Sequence, residues 1–447
     1  MAAFRTLRTA GLALGVVLVM AGATRAQTIL RDAEVERALS ELARPLLNAA
    51  GLSPRSVRIL VVKDSSLNAF VLNQQTIMIH SGLMLKMNRP EMLQGVIAHE
   101  IAHIANGHLT RRMQNMQNAQ TAAMIGLALS AAVASKYPGA AAGLAMGTQG
   151  SAQRVFLGHT RAEEASADRA GMRYMARAGI DPGGMVGVME KFEGQEVLNV
   201  GRQDPYVRSH PLTRDRLRAA RNLAATFKQI KGTDPNSAYW YDRSRAKLAA
   251  YLQNPSQTLR RLNASDKSDA ALVARATAYS QSHQIAPALA AAEQLIARRP
   301  EDAYAHELKA WIHMEARQFN ASVAAYARAV DLAPNQPLLL AGYGRALLAQ
   351  NTSTSNVKAL EVLEKSRIRD KINPGMLRDL GLAYARAGND GMASLSAAER
   401  YALSGRLKDA SIHAKRASGL LPRGSTGWRR AQDIVHAADA QKKRKKR

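Results

Sequence analysis

Three histidines and a glutamate share the stretch "VIAHEIAHIANGH", which ends at His108. His99, Glu100 and His103 form H-E-x-x-H. On a helix, residues four apart stand on one face, so both imidazoles reach one divalent ion at about 2.0–2.1 Å. Glu100 is one step round from His99, placed to take a proton from a water polarised by that ion. The pattern predicts metal-assisted hydrolysis, and a third ligand must come from elsewhere. Gly107 and His108 each miss the frame of H-E-x-x-H-x-x-G-x-x-H by one residue, so His108 is expected behind the ligands or at the surface. "AEEASADRAGMRYMARAGIDP" reads as a second helix with Glu164 and Asp168 on one face. Glu164 is the expected third ligand. Asp168 is placed to accept the spare ring N–H of a liganding histidine and fix its tautomer.

Composition narrows the metal and the address. The chain of 447 residues has no cysteine, which excludes disulfides, thiolate metal sites and thiol nucleophiles. Two imidazoles and a carboxylate at an open tetrahedral position suit one Zn2+ per chain. "MAAFRTLRTAGLALGVVLVMAGATRAQ" has a basic start, a short apolar stretch and small residues Thr24 and Ala26 before a cut. It reads as a cleaved secretory signal, placing the mature chain in a bacterial periplasm. The net charge of +27 asks for anionic partners. With 5% aromatic residues and no reader motif, nucleic acid is excluded and an anionic membrane surface is the better electrostatic partner.

The length requires more than one core. "ILRDAEVERALSELARPLLNAAG" has apolar residues at helical spacing and a stop at Gly51. "SVRILVVKD", "NAFVL" and "QTIMIHSG" are short β-branched runs. "MNRPEMLQGVIAHEIAHIANGHL" starts a helix, with Asn88 as the expected cap, Pro90 in the first turn and Glu91 at a capping-box position. The stretch "QQTIMIHSG" is expected as an edge strand able to hold a substrate chain by β-augmentation. Apolar, small residues from Ala119 to Gly150, broken at Tyr137-Pro138-Gly139, suggest a helical hairpin or lid.

The C-terminal half repeats. Ile285, Ala288, Ala292, Leu295 and Pro300 recur as Phe319, Ser322, Tyr326, Ala329 and Pro334, and again as Leu407, Ala410, Ala414, Ala417 and Pro422. The first offset, 319 − 285 = 34, is the tetratricopeptide period. The next, 407 − 319 = 88, is not a multiple of it, so degenerate or interrupted hairpins are expected between. The predicted fold is α+β: a mostly helical metalloprotease domain with a small antiparallel sheet, then an all-α tetratricopeptide-repeat solenoid. The expected boundaries are a signal peptide over 1–26, a protease domain over 27–230, connecting helices or linker over 231–266, repeats over 267–423 and a solvated basic tail over 424–447.

"HEIAH" followed by "EASAD" resembles the gluzincin family that contains the HtpX-type and CAAX prenyl proteases, whose motifs are HExxH and ExxxD. "NAFVL" resembles the family's Asn-Ala-Phe strand, and "TIMIHSGLM" its edge strand before the active-site helix. The resemblance is strongest from Arg58 to Leu217 and covers nearly the whole mature chain. It implies a zinc endopeptidase in which His99, His103 and Glu164 bind zinc and Glu100 is base and acid. "YVRSHPLTRDRL" resembles a further family element, which makes His210 a latent fourth ligand or oxyanion contact and the resting enzyme self-inhibited. Alone, His210-Pro211 reads only as a helix start. With a signal peptide in front and repeats behind, the resemblance implies misfolded or misassembled proteins as substrates, outer-membrane β-barrels above all. It also implies docking of the β-barrel assembly machinery on the repeats. The rival expectation is a repeat-scaffold chaperone with a vestigial or plugged zinc site; proteolysis abolished by Glu100→Gln separates the two.

Overall fold

A computed structural model describes residues 28–111, 161–199 and 202–446. The expected signal peptide and the expected hairpin between Ala119 and Gly150 lie outside the described residues. Strand β1 (Ile29–Leu30) leads into α1 (Ala33–Ala49), which Asp32 caps by accepting from the Val35 amide at 2.9 Å. Val35, Leu39, Leu42 and Leu46 recur at helical spacing and are all buried. Gly51, at φ +73°, ends the turn after α1 in the left-handed region that glycine adopts without strain.

Strands β2 (Arg58–Val62), β3 (Ala69–Asn73) and β4 (Thr76–His80) complete a sheet of order β1-β2-β4-β3. The sheet is mixed rather than antiparallel: β4 pairs with β2 in parallel, Ile59 opposite Ile77, and with β3 antiparallel, Phe70 opposite Met78. The cause is the tight β3–β4 hairpin, whose Asn73 side chain accepts from the Gln75 amide at 2.9 Å, folding β4 inward against β2. Expectation is corrected here, because β4 is bonded on both sides and buried throughout. The edge strands are β1 and β3.

After α2 (Ser81–Lys86), helix α3 (Pro90–Ala105) runs through the middle of the domain, buried on every side from Glu91 to His103. Pro90 opens it, but Arg89 occupies the cap position and makes no side-chain bond, so Asn88 is not the cap. A helix over residues 161–177 follows as α4, then α5 (Gly183–Lys191), α6 (Pro205–Ser209) and α7 (Arg214–Ala225). A Cβ on Gly171 would stand 3.1 Å from the Ala98 carbonyl. Only glycine there lets α4 lie this close to α3, which carries Glu164 and Asp168 to the histidines.

Next come α8 (Pro235–Leu252) and α9 (Pro255–Arg261), in the stretch expected as connecting helices or linker. Helix α8 packs on α1, α2 and α3 and also on α10 (Asp269–Gln281), the first solenoid helix. The solenoid continues through α11 (Ile285–Arg298), α12 (Ala303–Glu315), α13 (Phe319–Leu332), α14 (Pro337–Gln350), α15 (Ser353–Arg369), α16 (Pro374–Arg386), α17 (Asp390–Leu403) and α18 (Leu407–Leu420). Its interhelix turns use left-handed residues at His283, Arg317, Asn351, Gly388 and Gly405. Their spacing explains the interruption. The steps 317 − 283 = 34 and 351 − 317 = 34 are regular, 388 − 351 = 37 is three residues long, and 405 − 388 = 17 is half a repeat. Helix α17 therefore serves two turns. The chain ends in α19 (Thr426–Lys446), which differs from the expected solvated tail. Ala431 is fully buried, with Ile434 and Val435 packed beside it, so the first half of α19 caps the solenoid.

Buried charges join the two parts. Arg243 on α8 binds Glu34 at 2.7 Å and also pairs with Asp302; Lys247 binds Asp32 at 2.8 Å and Glu307 at 3.3 Å. Arg31 and Arg58 converge on Asp370, at 2.5 and 2.7 Å. Removing one member of such a group strands its partners out of water. Arg243→Met is expected to destabilise the chain by about 3–5 kcal/mol in urea titration followed by circular dichroism. Glu361→Gln, which breaks exposed pairs to Lys358 and Lys365, should leave the midpoint unmoved.

Candidate metal centre

Helix α3 presents His99 and His103 one turn apart, with their Nε2 atoms 3.0 Å from each other. From α4, Glu164 reaches both: Oε2 lies 3.2 Å from His99 Nε2 and Oε1 lies 3.5 Å from His103 Nε2. His210, just after α6, brings Nδ1 within 3.2 Å of His99 Nε2 and 3.0 Å of Glu164 Oε2. Each of the four residues is at least nine-tenths buried and offers one donor atom to a cluster no wider than 4.8 Å. Tetrahedral donors at 2.0–2.1 Å from an ion stand about 3.4 Å apart. The donor set thus fits a zinc ion.

Tautomers decide where the lone pairs point. Asp168 Oδ1 lies 3.0 Å from His99 Nδ1, so the neutral ring donates there and turns the Nε2 lone pair toward the cluster. Behind His103, the Nδ1 of His108 lies 2.9 Å from His103 Nδ1. His108 is buried rather than at the surface. Burial works against a charged His99, but the hydrogen bonds and charges of Asp168 and Glu164 outweigh it and push its pKa up to about 10. Burial raises the Glu164 carboxyl, yet His210 and His99 hold it well below the usual carboxylate range. The pocket therefore favours positive charge, and a metal ion entering it competes with protons.

Glu100 is next to His99 on α3. Among the described residues, both its carboxylate oxygens are buried without a hydrogen-bond partner, and Oε1 lies 3.4 Å from His210 Nε2. An orphaned carboxylate beside a donor cluster is costly unless a water or substrate meets it. Beside His99 and His210 lies a pocket lined by Val96, Met185, Val188, Met189, Phe192 and Tyr206.

All six residues singled out from the sequence, His99, Glu100, His103, Glu164, Asp168 and His210, stand in this one place. Sequence reasoning missed Arg216. Its guanidinium clasps Asp168 through Nε at 2.7 Å and Nη2 at 2.9 Å, stands 3.5 Å from Glu164 and donates to the Pro211 carbonyl at 2.6 Å. Thr213 caps α7 by accepting from the Arg216 amide at 3.2 Å. The only hint was its place five residues beyond Pro211 in a quoted motif.

Residues 30–224 match the model of peptidase family M48. The beta-barrel assembly-enhancing protease of Escherichia coli (strain K12) is 25% identical over 407 residues, covering 89% of this chain and 81% of the relative. Metalloprotease LoiP of the same organism is 28% identical over 198 residues, 43% of this chain and 71% of the relative. A solved structure, "Crystal structure of MamA", covers 38% of this chain and 95% of its own at 13% identity, with a TM-score of 0.29.

Asp168→Asn keeps the shape but loses the charge that orients His99 and holds Arg216. Zinc affinity measured by chelator competition is expected to fall about 10–100-fold with the circular dichroism spectrum unchanged.

Proposed function

We propose that this chain, whose residues 30–224 match the model of peptidase family M48, is a periplasmic zinc endopeptidase. Its substrates are misfolded or misassembled proteins, chiefly outer-membrane β-barrel proteins, and His210 holds it self-inhibited at rest. The observation that carries this reading is the convergence of His99, His103 and Glu164 beside a buried Glu100 that has no hydrogen-bond partner. Substrate class and compartment rest on likeness to the beta-barrel assembly-enhancing protease over 89% of the chain. Among the described residues, no helix is long and apolar enough to cross a membrane.

Zinc held by His99, His103 and Glu164 supplies Lewis acidity to a water and to the scissile carbonyl. Glu100 takes the proton of the attacking water and returns it to the leaving amine. Burial keeps this carboxylate out of bulk solvent. Asp168 holds His99 in one tautomer, and Arg216 holds Asp168.

Strand β3, not β4, offers the substrate-binding edge, since it ends the sheet on the side where the Ala69 carbonyl meets His210. An extended client adds there through main-chain bonds that ignore sequence, and the neighbouring apolar pocket takes one of its side chains. In the resting chain this track is filled. The Tyr206 amide donates to the Leu67 carbonyl at 2.9 Å, Ser209 Oγ donates to Asn68 Oδ1 at 3.3 Å, and His210 Nε2 lies 3.2 Å from the Ala69 carbonyl. Residues 206–210 thus lie along 67–69 as a client would, with the imidazole in the fourth donor position. The repeat solenoid is the docking platform for clients or the barrel assembly machinery.

Digestion of casein is the test. Glu100→Gln is expected to abolish cleavage while keeping zinc, chelation to abolish it reversibly, and His210→Ala to raise it severalfold. Zinc-loaded His210→Ala that cleaves nothing would instead favour a repeat-scaffold chaperone with a plugged site. Lower activity in His210→Ala would make the imidazole a transition-state contact rather than a plug.

A further inference from the structure

The last solenoid helices carry an exposed stripe that the proteolytic reading does not use. Along α18, Lys408, Ile412, Lys415, Arg416 and Leu420 recur at three- and four-residue spacing and face outward together. Ile412 is 61% exposed and Leu420 53%, large aliphatics standing in water between cations. The buried side of the same helix is only Ala410, Ala414 and Ala417. The solenoid provides its own control. In α11 the matching outward positions are Ala286, Ala290, Glu293, Gln294 and Arg298; in α13 they are Asn320, Ala324, Ala327, Arg328 and Leu332. An outer helix of this fold therefore does not require the Lys-Ile-Lys-Arg-Leu pattern.

Charge concentrates in the same place. From Leu407 to Arg447 there are 12 lysines and arginines against 3 acids, a net of 12 − 3 = +9 in 41 residues. That is a third of the whole chain's +27. Asp409 is already paired with Arg406. Helix α19 packs back on α18 and is longer, 21 residues against 14, carrying the exposed Lys442 and Lys443 on its last turns.

We propose that the outer face of α18, with the end of α19, is a docking surface for an anionic phospholipid bilayer. Ile412 and Leu420 enter the headgroup–acyl boundary, while Lys408, Lys415, Arg416 and the terminal lysines meet lipid phosphates. Alternating cations and aliphatics on one face fit such an interface. An acidic protein groove would be met by the cations without leaving Ile412 and Leu420 in water.

The test is flotation of the full-length mature chain with vesicles of phosphatidylglycerol and phosphatidylcholine, against phosphatidylcholine alone. Binding to the anionic vesicles only is expected. Ile412→Ser with Leu420→Ser leaves net charge unchanged and should weaken it at least severalfold. Lys415→Glu with Arg416→Glu should weaken it about tenfold or more, at roughly 1 kcal/mol per cation near the surface. Arg260→Glu with Arg261→Glu, an equal charge change on exposed α9, should leave most binding intact. Equal loss in that control, or no loss with the serine pair, would mean that bulk charge alone binds lipid and would overturn the proposal. So would failure to float, or capture by an acidic protein without lipid binding. None of these outcomes depends on proteolysis, so zinc-site and membrane-surface readings fail separately.

Discussion

Two imidazole nitrogens 3.0 Å apart, with carboxylate oxygens 3.2 and 3.5 Å away, need positive charge among them. Lone pairs held this close in a dry place repel unless a proton or a metal cation sits between. That constraint organises the protease domain. It requires α3 to be buried on all sides, because a solvated helix would let each imidazole turn to water. It requires α4 to approach α3 closely, and at Gly171 a Cβ would stand only 3.1 Å from the Ala98 carbonyl. It also requires a structure behind the donors, and Asp168, His108 and Arg216 provide it. Their hydrogen bonds point the rings inward.

The same closeness explains why one short segment can govern the site. His210 touches His99, Glu164, Glu100 and the Ala69 carbonyl at distances between 3.0 and 3.4 Å. It thus meets two donors, the base and the start of the edge strand with one ring. Arg216 joins that segment to the donors, because a single guanidinium binds the Pro211 carbonyl and the Asp168 carboxylate behind His99. The segment around His210 and the group that orients His99 are thus held by one side chain.

What the sequence made legible followed the range of the interaction. H-E-x-x-H and E-x-x-x-D are local patterns, and helical geometry alone aims each set of side chains at a common face. Their meeting could be inferred only from chemistry and resemblance, since 65 residues separate His99 from Glu164. Arg216 stands 48 residues from Asp168, in a motif where two histidine-and-proline positions drew the attention. Strand order defeated the reading of β4, because alternation says that a strand exists but not which neighbours it takes. A buried run of five residues with no polar face, "TIMIH", was in fact the sign of an inner strand. The phase break in the repeats was half visible. Asn351, Gly388 and Gly405 are residue types that suit left-handed turns, whereas His283 and Arg317 adopt the same conformation with nothing in their type to show it.

The joint between the two parts follows from the repeat itself. Asp302 caps the start of α12, Gln336 caps the start of α14 and Asp370 caps the end of α15, at steps of 336 − 302 = 34 and 370 − 336 = 34. The solenoid thus sets one polar side chain per repeat along a single edge. The segment from Arg31 to Glu36 lies across that edge: Glu34 shares Arg243 with Asp302, Arg31 binds Asp370, and Ala33 packs among Ala303, Ala329 and Leu339. A flexible tether would leave those charges solvated and the alanine exposed. Burying them instead ties the entry to the sheet, β1, to three successive repeats. From there β1 pairs with β2, β2 with β4 and β4 with β3, whose Ala69 carbonyl meets His210.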